Sequence, residues 1–308
     1  MKRAVTFSSA SLIAAFTVGS GILSVGKSPL LPSLFAALAA LALLPLVEWA
    51  ARSVYCGDVG FWRRVLFSVT VVVATVTASS AASGFSSFVA HSMLSGVSPF
   101  AVKIIFLFLA AYLALLGRDS VKKFALVSFI IVSTVAAVLF LLSVRSLDDT
   151  RILTLFSRQI SFSEVASELG GVFASSVLAV IYLSLGESGK RSRGAFLAVV
   201  FSSVILILCR LNVSLLLGDS LVLKVEYPYS EAVSTVAAGK LFARLEGWAY
   251  LMYYTAAATR VSVCLSLACR LFFMIFPFAE RKRLVLTLLP FVFGALSLVD
   301  VTNLFSFS

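Results

Sequence analysis

The chain has 308 residues, 60% of them hydrophobic, with a mean hydropathy of +1.06 and a formal charge of +11. Hydropathy of that order over this length excludes a soluble domain, because a run of about 20 apolar residues already suffices to cross a bilayer. In a soluble protein the positive excess would suggest nucleic acid; here it sits between apolar segments, no base-reading architecture accompanies it, and no nucleic-acid partner is expected.

Apolar segments recur at 7–26, 30–50, 65–90, 99–117, 124–144, 166–186, 195–217, 247–274 and 284–304. All nine are expected to be helices, since the bilayer core offers no partner to an unpaired backbone group. Barrel strands would be shorter and would alternate polar with apolar residues. The first segment follows Lys2 and Arg3 like a secretory signal, but Gly19, Ser20 and Gly21 interrupt it and no small-x-small cleavage site follows, so it reads as a retained span. Two outer loops are long, 145–165 and 218–246; the second carries Tyr227-Pro228-Tyr229 and predicts a short helix lying along the outer surface. Neither loop accommodates a soluble domain, so residues 1–308 are expected to form a single transmembrane domain.

Charge alternates from loop to loop. The even loops and their flanks hold Lys2, Arg3, Arg52, Arg63, Arg64, Arg118, Lys122, Lys123, Lys190, Arg191, Arg193, Arg281, Lys282 and Arg283, against five acids. The odd set holds nine cations, Lys103 and Arg210 among them, balanced by nine acids that include Glu164 and Glu168. Short cytoplasmic loops retain Lys and Arg. The amino terminus is therefore expected inside and the carboxyl terminus outside, with bilayer lipids in contact with the spans.

Four features are candidates for chemistry. Gly19-Ser20-Gly21 would weaken a helix at a depth where water cannot rescue the backbone, either as a break that binds a solute or as a packing notch. In the third span Ala74, Ala78, Ala82 and Ser86 form one row, and Thr75, Ser79, Ser83 and Ser87 the next. The first row suits close helix packing, and the second either packs or lines a polar cavity. Arg260, after Thr259, lies too deep in the eighth span to snorkel to Trp248 or Met274, and a deep arginine costs about 2.5–3.5 kcal/mol on insertion scales. It reads as an interior cation whose partner comes from another helix, a freed carbonyl or a bound anion. Glu164 and Glu168 could guard an outer vestibule, while Glu48, Arg244 and Glu246 occupy span ends; no acid is expected well inside a span. Cys56, Cys209, Cys264 and Cys269 lack metal spacing and His91 stands alone, so neither metal nor cofactor is expected. No nucleotide loop, nucleophilic triad or carboxylate pair points to an enzyme.

Gly19-Ser20-Gly21-Ile22-Leu23 resembles the amino end of the spore germination permeases, the integral-membrane B subunits of bacterial germinant receptors, related to amino-acid/polyamine/organocation transporters. Tyr227-Pro228, followed by Gly239 through Glu246 with Arg244, is similar to that family's entry to span eight. Arg260-Val261-Ser262 sits where the family has Lys-Ile-Ser, and Tyr112-Leu113-Ala114 with Gly117 resembles its fourth span. The resemblance implies an all-α, inverted-repeat amino-acid-transporter-like fold, here with nine helices where the family has ten. It also implies partner A and C subunits and a small germinant, typically an amino acid. On it Gly19, Ser20 and Gly21 would hold a carboxylate through their backbone, with Arg260 as a fixed cation replacing a coupling ion; Ser79 and Ser83 of the hydroxyl row and Thr259 beside Arg260 are the further candidate ligand contacts. Tyr227, Pro228, Arg244 and Glu246 would serve structure or partner contact. Span six departs from the family in lacking an acid between Gly170 and Gly186.

Overall fold

The structure, a computed structural model, describes residues 2–22, 30–55, 60–93, 96–144, 161–173, 176–185, 193–222, 224–235 and 246–275. Its helices are α1 (Lys2–Gly21), α2 (Leu30–Tyr55), α3 (Phe61–Ser92), α4 (Pro99–Leu115), α5 (Arg118–Ser143), α6 (Phe162–Glu168), α7 (Ser176–Ser184), α8 (Arg193–Leu217), α9 (Asp219–Val222), α10 (Pro228–Ser234) and α11 (Glu246–Ile275). A π-helical turn, Leu169–Phe173, follows α6 directly. No strand occurs among the described residues. Six helical stretches are long and apolar enough to cross a membrane, with α4 a shorter apolar helix, as expected of an integral membrane protein. The segment 284–304 lies outside the described residues.

Burial explains the arrangement. From Ser9 to Gly19 every residue of α1 is buried, and the helix packs against α5, α8 and α11. A helix apolar all round belongs inside protein or lipid; α1 is the axis of the bundle. Its hydroxyls do not oppose this, because Ser11 donates to the Ser8 carbonyl and Thr17 to the Ile13 carbonyl. By contrast α2 and α3 present Leu38, Leu43, Leu46, Val69, Val72 and Val76 outward. Apolar side chains facing out suit hydrocarbon.

Packing of α3 on α11 uses the small residues expected of a close seam. Ala74, Ala78, Ala82 and Ser86 are buried, opposite a helix rich in alanine itself. Of the hydroxyl row, Thr75 bonds back to the Val71 carbonyl, Ser79 is buried, Ser83 is half-buried and Ser87 exposed. Gly117, with φ +96°, turns the chain from α4 straight into α5. A side chain would be strained there.

The short helix expected after Tyr227 is α10: its inner face, Pro228, Tyr229, Ser230, Ala232 and Val233, is buried against α8 and α11, while Glu231 and Ser234 stay exposed. In the sixth span α6 gives way to the π turn at Gly170-Gly171, and α7 follows from Ser176. Two adjacent glycines lower the local helix preference by about 1 kcal/mol each.

Candidate functional site

The first span is helical from Lys2 to Gly21, with Gly19, Ser20 and Gly21 in its last described turn. All three pack closely against neighbouring segments. A Cβ on Gly19 would fall 2.5 Å from the Ala256 carbonyl oxygen, so α1 and α11 touch backbone to backbone. The Ser20 hydroxyl stands 2.5 Å from the Thr17 carbonyl and 2.8 Å from that of Val172, so its one proton is shared between its own helix and the π turn. A Cβ on Gly21 would meet Leu206 and Val172 at 3.1 Å. The notch and the helix end are therefore the same three residues.

Arg260 meets this junction from α11. Its Nη1 donates to the Gly19 carbonyl at 3.4 Å, and its Nε is buried with no acceptor among the described residues. No described carboxylate pairs with it. The end of a helix carries roughly half a negative charge, so the last turn of α1 offsets part of the guanidinium. Thr259 is fully buried and spends its proton on the Thr255 carbonyl. Along α1 the stretch from Ser9 to Ile22 is buried except at Ser20, and along α11 the stretch from Thr255 to Cys269 is buried except at Arg260. The two partly exposed residues flank one contact.

The π turn has a second fastening that charge counting missed. Arg210 of α8 donates through Nη2 to Glu168 Oε2 at 2.7 Å, and both residues are buried. Arg210 is not an outer-loop cation, and Glu168 is neither a vestibule guard nor a loop acid. An acid does lie inside a span, one residue before the π turn. The available signal was Arg210 within the apolar segment 195–217, a depth at which charges pair. Removing this pair leaves the outer loops as balanced as before. Beside it is a space of about 10 Å³ lined by Ser33, Ala37, Val172, Phe173, Ser203 and both charges, room for about one water. Nearby, Ser143 donates to Asn212 Oδ1 at 2.6 Å, a buried polar tie between α5 and α8. Lys103, also counted as an outer cation, is buried in α4.

Ser79 and Ser83 belong to α3, which packs chiefly on α11 and α4. Tyr227 caps α10, its ring 4.9 Å from that of Phe88, while Pro228 begins the helix. Burial, and then the charge of Glu226, push the Tyr227 phenol well up, so it stays neutral. Arg244 and the side chain of Glu246 lie outside the described residues. Cys209, Cys264 and Cys269 are buried free thiols, and Cys56 is outside the described residues.

At the other end of the bundle, Tyr182 of α7 is fully buried between two guanidiniums. Arg118 stands 5.9 Å and Arg270 5.5 Å from its ring centre. Ser266 donates to the tyrosine hydroxyl at 3.2 Å, and Arg118 also donates to the Leu183 carbonyl at 3.0 Å. α5, α7 and α11 are thus joined through one ring.

No family model matches the chain, and no curated protein does. Its fold is similar to that of a Na+-coupled sialic acid symporter solved in a substrate-bound, outward-open state. The TM-score is 0.67 at 13% identity, over 97% of this chain and 73% of the symporter. The protein is an integral membrane protein with an all-helical, transporter-type fold.

Proposed function

We propose that this protein binds a small, carboxylate-bearing solute where the end of α1, the π turn and α11 meet, and reports its occupancy to partner subunits. In this reading it is the membrane subunit of a spore germinant receptor, with its amino terminus cytoplasmic, A and C subunits as partners and an amino acid as the simplest germinant. The observation that carries it is Arg260 held at the Gly19 carbonyl. A cation built into the chain can stabilise the end of α1 permanently, whereas a mobile coupling ion must leave in every transport cycle. The irregular backbone of the π turn, against the last described turn of α1, supplies carbonyls and amides of the kind that membrane solute sites use.

A second reading, a secondary carrier, is favoured by the breadth of the fold similarity to a symporter. Purified protein in liposomes separates the two. Saturable binding of a labelled amino-acid pool without counterflow supports the receptor; counterflow supports the carrier. Loss of neither binding nor signalling in Arg260→Met would refute the role given to Arg260.

A further inference from the structure

We infer that the end of the bundle at which α2 stops and α3 starts binds an anionic phospholipid, with its phosphate at Arg52 and Arg63 and an acyl chain along the outward face of α2. This site is separate from the solute site proposed above and does not rest on it.

An open groove of about 480 Å³ lies there, lined by Pro45, Glu48, Trp49, Arg52 and Ser53. Arg63 reaches it from α3, because its Nη2 donates to the Ser53 carbonyl at 3.1 Å. Tyr55 fixes the two helix ends to each other. Its ring stacks on that of Phe67 with centres 5.3 Å apart, and its hydroxyl meets that of Thr70. Two guanidiniums from different helices are thus held at one opening. Glu48 is the one carboxylate among the lining residues, so the sign of the opening is positive. A phosphodiester is the group that such a basic opening draws from a bilayer surface. Arginine suits it, since the planar guanidinium presents paired donors to phosphate oxygens.

What continues from the groove is apolar. Leu38, Ala42, Pro45, Trp49 and Arg52 succeed one another on a single face of α2, and the first four are exposed. At the helical rise the strip from Arg52 to Leu38 is about 20 Å long. One leaflet contributes half of a hydrocarbon core about 30 Å thick. A chain laid on this strip therefore stays against α2 as far as the bilayer midplane.

The depth agrees. Trp49, Phe61 and Trp62 are 70%, 74% and 77% exposed, and the last two meet edge to face at 5.7 Å. Exposed tryptophan rings settle at the boundary between headgroups and hydrocarbon. Arg52 is one turn beyond Trp49 and Arg63 adjoins Trp62, which puts both cations at phosphate level. A soluble phosphate would use the cations and leave the strip bare; a phospholipid uses both.

Tryptophan fluorescence tests this, because brominated lipids quench a ring on contact. The chain has three tryptophans, so Trp248→Phe leaves Trp49 and Trp62 as the reporters. The full chain with that change is reconstituted in phosphatidylcholine vesicles containing a rising share of brominated lipid. The brominated species is phosphatidylglycerol in one series, phosphatidylethanolamine in the second and phosphatidylcholine in the third. Half-maximal quenching is expected at an about fivefold lower share of phosphatidylglycerol than of phosphatidylcholine, the effect of one basic side chain at an anionic surface, with phosphatidylethanolamine close to phosphatidylcholine. The difference disappears when Arg52→Gln and Arg63→Gln are combined, and most of it remains when both are changed to Lys. Equal quenching by phosphatidylglycerol and phosphatidylcholine, phosphatidylethanolamine as effective as phosphatidylglycerol, or a preference that survives the double Gln variant overturns the inference. Relief of quenching by soluble glycerol 3-phosphate also overturns it, since the groove would then hold a free phosphate ester. Should the double Gln variant fail to fold, Arg52→Gln alone decides: a weakened preference supports the site and an unchanged one refutes it.

Discussion

Glu168 and Arg210, 42 residues apart in the chain, meet at 2.7 Å inside the bundle and hold the π turn of the sixth span to α8. The contact is a single charged hydrogen bond, with Nε and Nη1 of Arg210 lacking partners among the described residues. Removing one member leaves the other charge buried. Glu168→Gln or Arg210→Met should each cost about 3–5 kcal/mol, as is usual for a broken buried pair. Replacing both by methionine should recover most of that loss. Thermal denaturation followed by size-exclusion chromatography checks it; a double variant no better than the worse single one would contradict the pairing.

Gly19 sets the distance between α1 and α11. Gly19→Ala places a Cβ 2.5 Å from a backbone oxygen that cannot step aside alone, and should destabilise by about 1–3 kcal/mol. Gly21→Ala meets the end of Leu206 and one methyl of Val172 at 3.1 Å, so its cost should be smaller. Melting temperatures of the two variants, measured side by side, give the order.

Ser20 ties α1 to the π turn through one hydrogen bond to the Val172 carbonyl. Ser20→Ala should remove about 1 kcal/mol of local stability. Amide hydrogen exchange should quicken in 169–173 while the centre of α1 stays protected. Unchanged exchange in the turn would mean that Arg210 holds it alone.

Tyr182 joins α5, α7 and α11 by sharing its ring between Arg118 and Arg270. Tyr182→Phe keeps the ring and loses the Ser266 hydrogen bond; Tyr182→Ala loses both stacking contacts, each worth about 0.5–2 kcal/mol. Cys269, buried beside Arg270, reports on the opening. With Cys56 replaced, maleimide should modify Cys269 markedly faster in Tyr182→Ala and little faster in Tyr182→Phe.

Much was legible because membrane insertion is a local transfer free energy. Twenty consecutive apolar residues cross hydrocarbon whatever their neighbours do, so the spans at 30–50, 65–90 and 124–144 could be read along the chain. Arg260 stood out by the same logic, as a charge at a depth where none is cheap. The row Ala74, Ala78, Ala82 and Ser86 declared a packing face by its fourfold spacing.

Pairing was not legible, because it depends on which helices become neighbours. Nothing in the sequence says that Arg210 reaches Glu168, or that Arg260 reaches a carbonyl 241 positions away. Those contacts follow from the central place of α1 and from how the π turn, α8 and α11 close around it. Apolar length determined by itself that this chain enters a membrane. Only the tertiary structure decided which of its charges are answered, since a charge in hydrocarbon is settled by the group beside it and not by the residues next to it in sequence.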